Sequence, residues 1–245
     1  MTRVLLLAGT REARQIAGAV AQEERVSVVA SLAGATRTPK PLGIPTRIGG
    51  FGGRDGFLAY LRDERIGAVL DATHPFAVGI SHRTAEICAE RDIPYLLVLR
   101  QPWMPGPQDT WTFLHRESDA ARHVPEGARV FLATGRQRLE AFANLTGRTL
   151  FVRQIDPPSE PFPYPGGRFV VGRPPFSIAE EVALFERLRI DWLVVRNSGG
   201  TASRSKLDAA RRLGLPVAMI RRPLQPEAPK VETVAAALSW LRRLP

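Results

Sequence analysis

Val4-Leu5-Leu6-Leu7-Ala8-Gly9-Thr10-Arg11-Glu12-Ala13 is the stretch on which the fold turns. An unbroken apolar run, then Gly-Thr, then a charged helix-forming segment, is the pattern of a strand buried on both faces that bends tightly into a helix. The passage has a weak echo in the second half, Val130-Phe131-Leu132-Ala133-Thr134-Gly135, also followed by a basic helical segment. Two copies of one strand-turn-helix opening predict two similar nucleotide-type folds, with ligands expected in a cleft between them.

Outward from that stretch, short apolar runs alternate with longer amphipathic segments, the mark of βα units around parallel sheets. In the first half the pattern predicts strands over 4–8, 26–30, 46–48, 68–71 and 95–99, with helices near 11–22, 54–65 and 78–91. Arg100-Gln101-Pro102-Trp103-Met104-Pro105-Gly106-Pro107 then breaks the rhythm, because its prolines and glycine continue neither element. A domain boundary is expected there, giving domains 1–104 and 105–245. Beyond it strands are expected over 112–114, 129–133, 149–153, 168–171, 192–195 and 217–220, and helices near 137–143, 178–188, 203–213 and 231–243. The predicted class is α/β, with two Rossmann-like domains built on parallel sheets.

Composition narrows the function. The formal charge is +10, yet Lys40, Lys206 and Lys230 are the only lysines and the 31 arginines are scattered, so an anionic small ligand is preferred to nucleic acid. No window approaches the roughly 18 apolar residues of a membrane helix, and the amino terminus lacks a signal-peptide pattern, so a cytoplasmic protein is expected. Cys88 is the single cysteine, which rules out an intramolecular disulfide, and no Cys/His spacing suggests a metal site. The G-x-S-x-G, H-E-x-x-H and P-loop motifs are absent, removing the usual support for hydrolase, metalloprotease and nucleotide triphosphatase readings.

The candidate cofactor residues gather at predicted strand ends. Gly9, Thr10, Arg11 and Glu12 lie where backbone N–H groups and a helix dipole can hold a phosphate, although an ordinary helix cap explains the same residues. At the end of the second strand, where an acidic residue would select NAD, the chain reads Ser31-Leu32-Ala33-Gly34-Ala35-Thr36-Arg37. With no carboxylate there, and with Ser31 and Arg37 suited to a 2′-phosphate beside Leu32, NADPH is the expected cofactor. Asp71-Ala72-Thr73-His74-Pro75-Phe76-Ala77 follows the fourth strand. Thr73, His74, Pro75 and Phe76 would border the nicotinamide, with Pro75 in the first turn of the next helix and His74 able to donate a proton near neutral pH. The alternative is that His74 caps that helix and Phe76 fills the core.

The second half ends its strands in polar and basic groups: Thr134, Gly135 and Arg136; Arg153; Arg173; Asn197, Ser198, Gly199, Gly200 and Thr201; Arg221 and Arg222. On one sheet edge they would make a cationic wall for a polycarboxylate, with the 197–201 turn offering N–H donors. Solvated arginines and ordinary glycine turns explain the same residues. Lys206, in an arginine-rich chain, marks a required ammonium or simply an exposed position. Two rival functions remain open, a reductase of another acidic metabolite and a non-catalytic two-domain protein that closes on an anion.

Taken together, Gly9-Thr10-Arg11-Glu12-Ala13, Ser31-Leu32-Ala33-Gly34, the 71–77 segment, Leu132-Ala133-Thr134-Gly135-Arg136, Arg196-Asn197-Ser198-Gly199-Gly200 and Lys206-Leu207-Asp208-Ala209-Ala210-Arg211 resemble the precorrin-6A reductase family of cobalamin biosynthesis, in order and over nearly the whole chain. The resemblance implies NADPH-dependent reduction of one ring double bond of precorrin-6A, giving precorrin-6B, with the cofactor on the first domain and the tetrapyrrole on the second. His74, Asp71 and Lys206 are the candidates nearest that chemistry, with water as another proton source. Two residues depart from the family pattern: Ala8 replaces the first glycine of Gly-Gly-Thr, and Arg196 stands where relatives often carry lysine.

Overall fold

The computed structural model describes residues 1–23, 26–34 and 40–245. They divide into two units, Met1–Gln101 with Pro223–Pro245, and Pro102–Arg222. In the first, β1 (Arg3–Leu7), α1 (Arg11–Val20), β2 (Ser27–Leu32), β3 (Thr46–Ile48), α2 (Gly53–Asp63), β4 (Ala68–Asp71), α3 (Val78–Glu90) and β5 (Tyr95–Val98) follow one another. The second opens with β6 (Trp111–Leu114) and a 3-10 helix, Glu117–Arg122. It continues with β7 (Arg129–Leu132), a further 3-10 helix, Arg136–Phe142, then β8 (Thr149–Gln154), β9 (Arg168–Val171), α4 (Ile178–Leu188), β10 (Trp192–Arg196), α5 (Ser205–Arg212) and β11 (Val217–Ile220). The chain then returns to the first unit with β12 (Lys230–Val231) and α6 (Val234–Leu241).

Each unit holds a six-stranded sheet, ordered β3-β2-β1-β4-β5-β12 and β9-β8-β7-β10-β11-β6, and every pairing is parallel. Both follow the doubly wound order 3-2-1-4-5-6, with the ligand edge at the carboxyl ends of the strands. The sixth strands are exchanged. β6, which follows β5 in the chain, pairs with β11, while β12, which follows β11, pairs with β5.

This topology differs from the expected division at residue 104, with everything later in one domain. The chain crosses after Gln101 and again after Arg222. The second crossing carries Pro223, Pro226 and Pro229, a break as strong as the first. Its strand escapes periodicity because it has two residues, fixed by Leu97 N–H donating to Pro229 O (3.0 Å) and Leu99 N–H to Val231 O (2.8 Å). The expected helix over 231–243 begins only at Val234, where the Thr233 hydroxyl accepts from Ala236 N–H.

Alternation along β1 sends Val4 and Leu6 to one face, against Ile16, Ala17 and Val20 of α1 and Ala237 and Leu241 of α6. Leu5 and Leu7 go to the other, against Phe57, Leu61, Ile87 and Cys88. Fully burying a side chain of leucine size stabilises by about 2 kcal/mol, which favours docking α6 on the first sheet. In the second unit Phe131, Phe151, Leu193 and Val217 pack against Phe185, Leu188 and Leu207. Among the described residues, no helix is long and apolar enough to cross a membrane.

Candidate functional site

In the first unit the predicted cofactor residues meet at the carboxyl edge of the sheet. Thr10 is the expected helix cap and also makes a bond that the sequence did not announce. Its hydroxyl accepts from Ala13 N–H (3.2 Å), capping α1, and donates to Ala72 O (2.7 Å), tying the β1–α1 turn to the turn after β4. Gly9 has φ of 145°, a conformation that disfavours a side chain, and a Cβ there would meet nothing within 4 Å. Open backbone beside the first turn of a helix fits a diphosphate. Ala8, the departure from Gly-Gly-Thr, keeps the β1 ladder going through Ala8 N–H to Ser31 O (2.9 Å) without positive φ, so its methyl costs no backbone strain. Arg11 is exposed. Glu12 is held by Arg100 Nη1 at 2.8 Å, a cation that the sequence reading missed because it lies 88 residues away.

At the end of β2, Ser31 is buried and its hydroxyl accepts from Arg47 Nη1 (2.9 Å). Leu32 packs partly buried in the core beneath. Arg37 lies outside the described residues. The Arg47 guanidinium also donates to the carbonyls of Gly49 and Gly50, both at 2.9 Å, and lies 4.0 Å from the Phe51 ring centroid. The unread signal was Gly49-Gly50-Phe51-Gly52-Gly53 directly after a strand.

Asp71 has no exposed surface. One oxygen accepts from Thr73 N–H (3.0 Å) and the other from the Tyr95 hydroxyl (2.9 Å). This burial does not suit the direct catalytic role expected of Asp71: both oxygens are committed within the protein, one of them holding the backbone of Thr73. Burial, reinforced by Asp71, pushes the Tyr95 phenol far above its ordinary range and the Cys88 thiol up to about 12, which disfavours the anionic form of each. The Thr73 hydroxyl lies 3.3 Å from that of Ser81. His74 Nδ1 accepts from Phe76 N–H (3.3 Å), which assigns the proton of the neutral ring to Nε2. Pro75 sits before α3 rather than in its first turn, since the helix begins at Val78.

In the second unit most of the predicted basic wall is paired with carboxylates. Arg153 is corrected most: it lies between the rings of Phe131 (4.9 Å) and Phe176 (4.2 Å), on the α4 side of the sheet, and pairs with buried Glu181 at 2.6 Å. Lys206 approaches the same cluster and donates to Ser203 O (2.6 Å). Burial lowers its ammonium to about 8, with Glu181 opposing the shift and Arg153 adding to it. Arg136 and Arg173, both nearly half exposed, pair loosely with Glu160 (3.7 Å) and Asp156 (3.6 Å). Glu117 collects Arg138 (3.1 Å) and Arg196 (3.5 Å). Burial is the largest single influence on Glu117 and pulls it upward, but the bond from Arg138, a backbone hydrogen bond and the charges of Arg138 and Arg196 together hold the carboxyl below its usual range.

The 197–201 turn also departs from expectation. Asn197 N–H donates to Ile220 O and Ser198 N–H to Arg196 O, so those two donors are committed. The Asn197 side chain accepts from Trp103 N–H (2.7 Å) and donates to Trp103 O (2.9 Å), while the Trp103 indole donates to Gly200 O (2.6 Å). Arg222 donates to Asn197 O and Ser198 O. These bonds tie the turn to Trp103 and Arg222, near the two ends of the second unit. Thr134 is different: its hydroxyl is buried with no hydrogen-bond partner among the described residues, beside Gly135, over which a Cβ would meet nothing within 4 Å.

The chain matches the family described as precorrin-6x reductase CbiJ/CobK over residues 3–242. It is 45% identical over 247 residues to a precorrin-6A reductase of Rhodococcus erythropolis, covering 100% of this chain and 99% of that one. A cobalt-precorrin-6A reductase of Priestia megaterium is 27% identical over 233 residues, 90% of each chain. A solved structure described as CobK precorrin-6A reductase superposes with a TM-score of 0.94 at 39% identity, covering 99% of this chain and 96% of that one.

Proposed function

Because the chain belongs to the precorrin-6x reductase family, we propose that it reduces one ring double bond of precorrin-6A to give precorrin-6B, with NADPH as reductant, in the cytoplasm. The bond from the Thr10 hydroxyl to Ala72 O carries this reading, because it joins a turn suited to a diphosphate to the turn that bears His74. The chemistry that a reduced nicotinamide supplies when bound is a hydride. The first unit would hold the dinucleotide, with the open backbone of Gly9 and the first-turn amides of α1 receiving its diphosphate and Ser31 facing the adenosine end. Arg11 and Glu12 frame that turn, and Thr73, Pro75 and Phe76 would border the nicotinamide.

The second unit would bind the tetrapyrrole. Its acetate and propionate arms suit Arg136 and Arg173, whose pairs with Glu160 and Asp156 are long and solvent-exposed and so exchange readily for a ligand carboxylate. The Thr134 hydroxyl, Gly135, Arg222 and the 199–201 backbone complete that set. Two groups are candidates to deliver the proton that accompanies the hydride. His74 Nε2–H is one. Lys206 is the other, its ammonium shifted to about 8 by burial so that it exchanges protons near neutral pH. Identity of 45% to a relative named for precorrin-6A, against 27% to one named for the cobalt form, supports a cobalt-free substrate.

The test is an anaerobic assay with NADPH and enzymatically prepared precorrin-6A, following nicotinamide absorbance and product mass. Gain of two hydrogens, matched by loss of one NADPH, is the expected result. Turnover of cobalt-precorrin-6A alone would shift the substrate, and no oxidation of NADPH with either would overturn the reading.

A further inference from the structure

We propose that Arg47, supported by Ser31, is the group that reads the 2′-phosphate of the dinucleotide and so sets the preference for NADPH over NADH; this rests on the nicotinamide reading above. In doubly wound folds the ribose that distinguishes the two cofactors lies at the end of the second strand, about 20 residues beyond the phosphate turn. Ser31 occupies that place as the partner of Leu7 on β1, and Arg47 is its partner on β3. The register therefore sets a guanidinium beside the hydroxyl on the same face of the sheet, and the bond from Nη1 to Ser31 Oγ joins them.

What distinguishes Arg47 is the kind of partner it has. Its contacts are one hydroxyl, two backbone carbonyls and the rings of Phe51 and Tyr60, all of them neutral. Among the described residues no carboxylate pairs with it, whereas Arg3, Arg54 and Arg100 of the same unit are each paired with a glutamate. A partly buried guanidinium with fixed geometry and unneutralised charge is preorganised for an anion. Three of its five N–H groups are used by those bonds. The Ser31 hydroxyl, having accepted from Arg47, keeps its own proton to donate. The backbone alongside is open: Gly49 and Gly50 would each accept a Cβ with nothing within 4 Å. A phosphate monoester attached to a ribose is the chemistry that such a pair recognises.

Binding of 2′,5′-ADP and 5′-ADP by calorimetry tests this without turnover, in the wild type and in Arg47→Gln, Arg47→Lys and Ser31→Ala. We expect the wild type to favour 2′,5′-ADP by about 10- to 100-fold, the range of a charge-assisted phosphate contact. Arg47→Gln should bring that ratio close to one while leaving 5′-ADP affinity within about twofold, and Arg47→Lys should keep part of it. Ser31→Ala, which leaves the guanidinium in place, should lower the ratio about threefold and serves as the test if Arg47→Gln does not fold. A ratio unchanged in Arg47→Gln, or collapsed instead by Arg37→Gln, overturns the role of Arg47 and leaves the NADPH reading standing. A wild type that prefers 5′-ADP overturns the NADPH reading itself.

Discussion

The two sheets begin alike and then diverge at one turn. After β1 the chain reads Gly9-Thr10, and after β7 it reads Thr134-Gly135, so the same two residue types appear in opposite order. In the first, the hydroxyl falls at the cap position, accepts from Ala13 N–H and donates to Ala72 O, and a regular ten-residue helix follows. In the second, the hydroxyl falls one residue early, Gly135 caps with no side chain, and a 3-10 helix follows. One transposition thus separates a turn whose polar groups are satisfied within the protein from one that keeps a buried hydroxyl without a partner. On the reading proposed above, the first turn would meet the dinucleotide through backbone left open at Gly9, and the second would meet the tetrapyrrole through the Thr134 hydroxyl.

The largest effect expected from this contrast comes from closing each turn with a side chain. Both glycines have positive φ, 145° at Gly9 and 80° at Gly135, so valine at either position costs about 1–3 kcal/mol in backbone strain. The ligand affected should differ. Gly9→Val is expected to weaken NADPH binding by about 100-fold while changing tetrapyrrole affinity little, and Gly135→Val is expected to do the reverse, because the added carbons cover the backbone that each ligand approaches. Calorimetric titration of both variants with both ligands checks the pair. Loss of the same ligand in both variants would break the division of labour between the units.

How far the sequence carries this comparison depends on the range of each interaction. Parallel strands buried on both faces read clearly because their apolar runs are uninterrupted, and α4 reads clearly because Ser177 and Glu180 form a capping box four residues long. The exchanged strand β12 does not, since two residues carry no period. Within the site, the 71–77 turn was legible as a unit, but the burial of Asp71 depends on Tyr95, 24 residues away, and Arg47 acquires meaning only through pairing with Ser31 across β2 and β3. Arg153 is a different case. Its orientation was available from strand alternation alone, because Phe151 and Arg153 share a face, and a basic residue on the face that packs α4 points away from solvent.

That buried cluster sharpens the comparison through pH. Lys206 titrates at about 8 in the folded protein against 10.5 for a free lysine. The unfolded chain therefore binds more protons than the folded one between those values, so folding stability rises with pH across that window; below about pH 8 the cost of burying the charged amine is present in full. Lys206→Met removes the titration. Wild type minus variant stability should thus increase by on the order of 2–3 kcal/mol between pH 7.5 and 10.5, measured by urea unfolding at each pH. A flat difference would mean that the amine is solvated, which would also weaken its candidacy as a proton donor. His74→Gln is the companion measurement: if His74 supplies the proton, kcat falls by about 100-fold while KM for NADPH changes little.

The smallest effect tests the transposition directly, with one substitution made in both turns. Thr10→Val removes a helix cap and leaves the buried carbonyl of Ala72 without its donor, so about 2 kcal/mol of stability should be lost. Thr134→Val replaces a buried, unpartnered hydroxyl with a methyl of nearly the same shape, which relieves a desolvation cost and should leave stability unchanged or raised by about 0.5–1 kcal/mol. The signs are opposite although the chemistry of the substitution is the same. If the hydroxyl of Thr134 is held for the tetrapyrrole, Thr134→Val should raise KM for precorrin-6A several-fold while the protein melts no earlier than the wild type. A variant that is more stable and equally active would mean that the second turn keeps its hydroxyl for no ligand, and that the contrast between the turns is one of packing alone.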